Sequence, residues 1–359
     1  MKLTKFFALA LAALAFVGCE PSTGDDNKPT GDAVLTANNN SVEVNTPIEF
    51  TVTAADGTDL TAEAVIYDKS HDYVVVSNPY TPTMDGEYEF YAVAGNIITS
   101  SIKVNVVPTI PALPEDAQPE NTSFNHRILL VDHTGNTCGY CPKMMEALKE
   151  VSETGDYHSK YYEAMAHTYS SGDPAYSGAA NVVSGHHGVS AYPTLTYNFY
   201  HSTTSSYNAA HIMGQIDALW KAEGADAGIA AAATLASTSV IVNTEVKAAV
   251  ENEYRITAWL LEDGIYAKQT NASEEWMNTH DNAIRQRVTS DDISGLNLGT
   301  IAAGQTVSTA LTLKIVGNKW VRDNLKVMII VSAKNSKGKF EVANVAICPM
   351  NDVVTYDYK

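Results

Sequence analysis

The alternation of apolar and polar residues changes character several times along the 359-residue chain. Phe6 to Val17 is a nearly unbroken apolar run, too short to span a bilayer stably as a mature anchor. From residue 31 to 108 short runs alternate with period two, as in Ser41–Val44, Ile48–Val52 and Ile102–Val106. Asp56-Gly57 and Asp85-Gly86 supply turns between such runs, which predicts strands. Pro108, Pro111, Pro114 and Pro119 punctuate the next stretch, and residues 109–124 read as a stiff linker. The pattern then changes. Arg127 is followed by the continuous run Ile128-Leu129-Leu130-Val131, which predicts a buried parallel strand. Pro142 to Val151 predicts a helix with Met144, Met145 and Leu148 inward. Tyr161–His167 and Leu195–Tyr200 predict strands, Tyr176–Ser184 a short helix and Ala209–Lys221 an amphipathic one. Such alternation of strands and helices predicts a parallel or mixed α/β domain over residues 125–225. From Gly228 onward the runs Val240–Val250, Tyr254–Leu261, Val307–Val316, Leu325–Ala333 and Phe340–Ile347 predict a C-terminal β-sandwich over residues 226–359. The expected fold class is multidomain α+β.

The N-terminus sets the compartment. Lys2 and Lys5 precede the apolar run, and Gly18 precedes Cys19. That arrangement is a secretory signal over residues 1–18, and the small residue before the cysteine resembles a lipobox, which implies acylation of Cys19. Residues 19–30 are polar and rich in turn formers, as a tether would be. Asp25-Asp26 within it resembles the acidic export signals of surface lipoproteins, although two acids also suit an ordinary solvated linker. The formal charge is −18, and removal of residues 1–18 with their two lysines takes it to −20. An acidic surface of this size argues against nucleic acid and against electrostatic docking on anionic lipid. The expectation is an outer-membrane, lipid-anchored protein facing the periplasm or the cell surface.

Within residues 31–108, the stretch Asp85-Gly86-Glu87-Tyr88-Glu89-Phe90 resembles the tyrosine corner of immunoglobulin-like sandwiches. Phe90 stands where that family has its second core cysteine, so an inter-sheet disulfide is excluded. The resemblance implies an Ig-like β-sandwich serving as a spacer or adhesion module.

The candidate chemistry lies in the cysteines. Cys19 is assigned to lipid, which leaves Cys138, Cys141 and Cys348. Cys138 and Cys141 stand two residues apart, after a buried-type strand and at the start of a helix. Free N–H groups and the helix dipole at such a point stabilise a thiolate, the species that attacks a disulfide. A structural disulfide or half a zinc site are the alternatives for the pair. Zinc would need two more ligands, and His186-His187 are the candidates by type only. His133, His167 and His211 add no metal spacing, and no cofactor motif is present. Cys348, in Ala346-Ile347-Cys348-Pro349, reads as a buried apolar-like residue ending a core strand.

The run from Leu129 to Pro142, with Asp132 six residues before Cys138, resembles the thioredoxin superfamily. Ser190-Ala191-Tyr192-Pro193-Thr194 resembles its cis-proline loop. The resemblance implies a thioredoxin-like domain with Cys138 as nucleophile, Cys141 as resolving thiol, Asp132 as its proton acceptor and Pro193 as the wall orienting a substrate backbone. Thr137 departs from the tryptophan usual before the first cysteine. The Thr134-Gly135-x-x-Cys-x-x-Cys-Pro142 run and the segment His280-Asp281-Asn282-Ala283-Ile284-Arg285 resemble the outer-membrane-protein-twenty-eight-related lipoproteins. Two functions follow as expectations. One is thiol–disulfide exchange with extracytoplasmic protein thiols or disulfides, using no cofactor. The other is surface binding or adhesion, with Cys138–Cys141 as a fixed staple.

Overall fold

The computed structural model describes residues 32–201, 203–317 and 319–359. The leader, the lipidation expected at Cys19 and the tether therefore lie outside the described residues. The apolar run after Arg127 becomes strand β1 (Ile128–Thr134), all seven residues of which are buried. It is followed by α1 (Cys141–Glu153), β2 (Tyr161–His167), α2 (Gly178–His186), β3 (Thr194–Tyr197), β4 (Thr203–Thr204) and α3 (Ala209–Leu219). Strands then take over: β5 (Ala227–Leu235), β6 (Ser239–Ala248), β7 (Asn252–Glu262), β8 (Ala283–Arg287), β9 (Leu296–Ile301), β10 (Thr306–Lys314), β11 (Leu325–Lys334), β12 (Phe340–Pro349) and β13 (Val353–Val354).

A strand buried on both faces needs two covers. Ile128 and Leu130 point into a cluster with Met144, Leu148 and Val151 of α1 and Ile212 and Ile216 of α3. Leu129 and Val131, of the opposite parity, pack with Ala179, Ala180 and Val183 of α2. β2 lies parallel to β1, and β3 lies antiparallel on its other side with Leu195 opposite Asp132.

The sheet continues beyond β2. Met165 of β2 stands opposite Ala283 of β8 in a parallel pairing, and β8 runs antiparallel to β7. β7 and β11 pair antiparallel over nine positions, and β12 follows on β11. With β9 also on β7, the result is one nine-stranded sheet. A second, four-stranded sheet has the order β10-β6-β5-β13. Its Ala231, Val240 and Val242 cluster with Ile256, Ala258 and Leu260 of β7 and with Val327, Ile329 and Val331 of β11. The alternate residues of those two strands, Trp259, Leu261, Met328 and Ile330, belong to the cluster of α2 and β1.

This architecture corrects the expected fold class. Strand accounts for 42% and helix for 14%, with three α-helices among the described residues, and a central thioredoxin-like α/β domain is not supported. The physical reason is the junction at β8. The strands of residues 125–225 share a sheet and an apolar core with β7 and β11, so neither half closes by itself. The C-terminal β-sandwich is corrected in the same way. Two sheets do face each other there, but one of them is the shared sheet. Within residues 31–108, read as all-β, Ala33–Ala37 pairs antiparallel with Phe50–Ala54, Val65–Asp68 pairs with Val74–Val76 and with residues 90–93, and Ser41–Glu43 runs parallel to residues 105–107, so each of these strands finds its partner inside that span. Phe50 packs on Phe90 with ring centroids 4.8 Å apart.

Residues 116–119, in the stretch read as a linker, are held in place by a buried lysine. Lys247 on β6 is 1% exposed. Its ammonium donates to Asp116 (3.0 Å) and to the carbonyls of Gln118 and Pro119, and it lies over the rings of Tyr356 and Tyr358. A charge this deep is tolerated because it has an anion, carbonyls and ring faces around it.

Candidate functional site

Cys138 and Cys141 are bonded to each other. Cys141 is the first residue of α1, with Pro142 in the first turn, where a missing N–H costs nothing. Cys138 sits in the preceding loop, which is folded by the Cys138 N–H donating to the carbonyl of Gly135 (3.0 Å) and the Cys141 N–H to that of Cys138 (3.3 Å). Gly135 is required by close approach, since a Cβ there would stand 2.6 Å from Cβ of Tyr169. The next residue is anchored too. The N–H of Asn136 donates to Asp173 Oδ2 at 2.7 Å, and the same oxygen lies 2.8 Å from His167 Nδ1. Burial would raise the Asp173 carboxyl. The His167 bond and charge, with the amides of Asn136 and Ala175, outweigh it and hold it down at about 2.

The cysteine pair is covered. Cys138 is 2% exposed and Cys141 fully buried, whereas Tyr140 between them is 63% exposed. The cover is the segment 267–278, between the short strands Ile265–Tyr266 and Thr279–His280. Gln269, buried, donates from Nε2 to the carbonyl oxygens of Cys138 (3.0 Å) and Gly135 (3.4 Å). Asn271 Nδ2 donates to Gly139 O at 3.1 Å, and the Thr270 N–H donates to Asn136 O at 2.8 Å. Sequence reasoning missed this segment. It lies about 130 residues from the cysteines, and polar residues in a loop carry no periodic signal.

Asp132 continues the parity of Ile128 and Leu130, so its side chain faces α1. It is fully buried, and neither carboxyl oxygen has a hydrogen-bond partner among the described residues. Burial, with the neighbouring Glu163, pushes this carboxyl well above the usual carboxylate range. It lines a cavity of about 660 Å³ together with Met145, Lys149, Glu163, Trp276 and Asp281. Met145 is one helical turn beyond Cys141, at i+4 and hence on the same face of α1. Asp132 thus lies on the side of α1 that carries Cys141.

Pro193 immediately precedes β3, whose Thr194 pairs with His133 near the end of β1. The Tyr192–Pro193 peptide is cis, as the sequence leads one to expect. The antiparallel pairing places Pro193 at the sheet end from which the cysteine loop springs. His133, on the α2 side, bonds Ser184 Oγ (2.8 Å) and Thr196 Oγ1 (3.0 Å), and burial pushes its pKa down to about 3. His186 reaches the carbonyl of Phe199, and His187 lies edge-on to His133. Cys348 is buried in the core between the two sheets, and burial pushes its thiol up to about 11.

The segment 280–285 turns out to be the junction of the sheet. Asn282 accepts the Met165 N–H at 2.8 Å, and Arg285 pairs with Glu262 at 2.8 Å, both side chains buried.

The family model for the outer membrane protein Omp28 matches residues 181–351. That span holds the β8 junction and the cover segment but begins after Cys138 and Cys141. No curated protein matches the chain. Among solved structures, HBP35 of Porphyromonas gingivalis is similar with a TM-score of 0.52 and 16% identity, over 64% of this chain and 76% of that one. At that identity the likeness shows fold alone. Surface layer protein SbsC, domains 4–9, gives a TM-score of 0.19 at 10% identity, over 90% of this chain and 51% of that one.

Proposed function

We propose that this is a cell-envelope protein, anchored at the outer membrane by lipid on Cys19, that exchanges disulfides with extracytoplasmic proteins through Cys138 and Cys141. The observation that carries this reading is Asp132. A buried carboxyl without a hydrogen-bond partner costs stability and does nothing for the fold, so its place beneath the helix bearing Cys141 calls for a chemical role. In the oxidised state it holds a proton. A client thiolate attacks Sγ of Cys138, and the Cys138–Cys141 bond breaks with its electron pair going to Sγ of Cys141. Asp132 gives that sulfur its proton. The client's second thiolate then attacks the client sulfur of the mixed disulfide and expels Cys138 as a thiolate, which the N-terminus of α1 stabilises. The client is oxidised, the pair is reduced, and another protein disulfide restores it. In the reverse direction Asp132 accepts the proton, and Pro193 borders the client's backbone. A Cys141→Ser variant should accumulate mixed disulfides through Cys138 in cells, visible as thiol-sensitive adducts; finding none would remove the reading.

A second reading is favoured by the burial of both sulfurs and by the amides of Gln269 and Asn271 on their loop. In it the disulfide is a staple and the protein a surface binding or adhesion lipoprotein. Trypsin treatment of intact cells separates the two, since release of the protein supports a surface location.

A further inference from the structure

We propose that Glu163 is a positioning residue for the exchange, acting through Asp132 by setting the pH range in which Asp132 keeps its proton. This rests on the exchange reading above. The geometry comes from the sheet: Glu163 stands opposite Leu130 in the parallel β1–β2 pairing, and Met165 stands opposite Asp132. Glu163 shares the face of Met165, two residues on, and so the face of Asp132. Both carboxyls line the same cavity.

The other titratable groups lining that space are Tyr161 on β2, Lys149 on α1 and Asp281 beside β8. None of them is hydrogen-bonded or ion-paired to either carboxyl. Lys149 sits half-exposed with Glu153 (4.0 Å) and over the ring of Trp276. Lys326 lowers Glu163, but its ammonium is held by Asp263 at 2.5 Å. Two carboxyls in one cavity without a cation between them cannot both ionise easily, so their protons leave in separate steps. Glu163 is partly exposed and goes first: burial and Asp281 push it up to about 7. Its charge then opposes ionisation of Asp132, so the acid that protonates Cys141 keeps its proton to higher pH, where client thiolates are more abundant.

The test is the rate at which dithiothreitol opens the Cys138–Cys141 disulfide in the purified protein, expressed per dithiothreitol thiolate and followed against pH. For the wild type this rate should stay level and then fall once Asp132 ionises. In Glu163→Gln the fall should move down by about one pH unit or more. Glu163→Asp, which keeps the charge, should hold the wild-type limit, and Asp132→Asn should be slow at every pH. A Glu163→Gln profile superimposed on the wild type, with Asp132→Asn slow, overturns the role of Glu163 and leaves the exchange reading standing. An Asp132→Asn profile superimposed on the wild type overturns that reading itself. Should Glu163→Gln fail to fold, the carboxyl carbon resonances of the wild type decide. Two coupled titration steps are expected, and independent single steps contradict the proposal.

Discussion

At the scale of single residues, the site is defined by groups that the fold holds at a cost. Asp132 and Glu163 keep protons that an unfolded chain would release near pH 4. The folded state therefore binds more protons than the unfolded one from about pH 4 upward, and stability falls as pH rises through this window. The window extends to about 7 for Glu163, and Asp132 is shifted in the same direction by its burial and by the neighbouring Glu163. Asp132→Asn and Glu163→Gln should flatten this part of the pH–stability curve, measured as thermal midpoints between pH 4.5 and pH 8. Unchanged slopes would mean that the carboxyls are better solvated than their burial implies. His133, His187 and His126 work in the other direction, since each is pushed down to about 4 or below by burial and resists protonation. Their contribution is lost as pH falls through the range below about 6.5, so variant-minus-wild-type differences isolate the carboxyls. At this scale much was legible in the sequence. The cysteine spacing and the helix start beside Pro142 depend on short-range order, whereas the buried acid at Asp132 and the cis bond before Pro193 were expectations of the family resemblance. Glu163 was not legible, because an acid in an apolar strand run gives no sign of which neighbour it faces.

At the scale of elements, the segment 267–278 is hydrogen-bonded to the backbone of the loop that carries the disulfide. Gln269 contributes two hydrogen bonds to the cysteine loop. Losing a net of about 1 kcal/mol with them raises the open fraction of the loop by about fivefold. Gln269→Ala should therefore speed opening of the disulfide by dithiothreitol by about that factor, and amide exchange at residues 136–141 should rise with it. A rate equal to the wild type would show that the cover is not what limits attack. The strand and helix positions were largely legible here, since β1, α1, β2 and α3 lie close to the segments that periodicity marks. The cover was not, for its role comes from polar side chains meeting backbone carbonyls across more than a hundred residues.

At the scale of the whole chain, the decisive feature is the pairing of Met165 with Ala283, which carries one sheet across the expected boundary at residue 225. Arg285 and Glu262 reinforce it as a buried ion pair that stabilises only when both partners are present. A fragment of residues 125–225 exposes the β2 edge and the faces of Leu129 and Val131 that pack beside Trp259 and Met328. It should fail to give a cooperative unfolding transition by circular dichroism, whereas residues 109–359 should unfold in a single step. A fragment that folds alone would restore a separate central domain. Local patterning could not reveal this arrangement. It fixes which residues of a strand face inward but not which distant strand lies alongside, and Ile284 reads the same in a sandwich edge as in a sheet junction.

Whether the Cys138–Cys141 pair is an exchange site is tested most directly by its reduction potential. The purified protein would be equilibrated in glutathione or dithiothreitol buffers and its free thiols counted, with Cys348 as the buried internal reference. A potential between about −120 and −270 mV is predicted, the range of exchange catalysts. A value below about −300 mV would contradict the account and make the pair a structural staple.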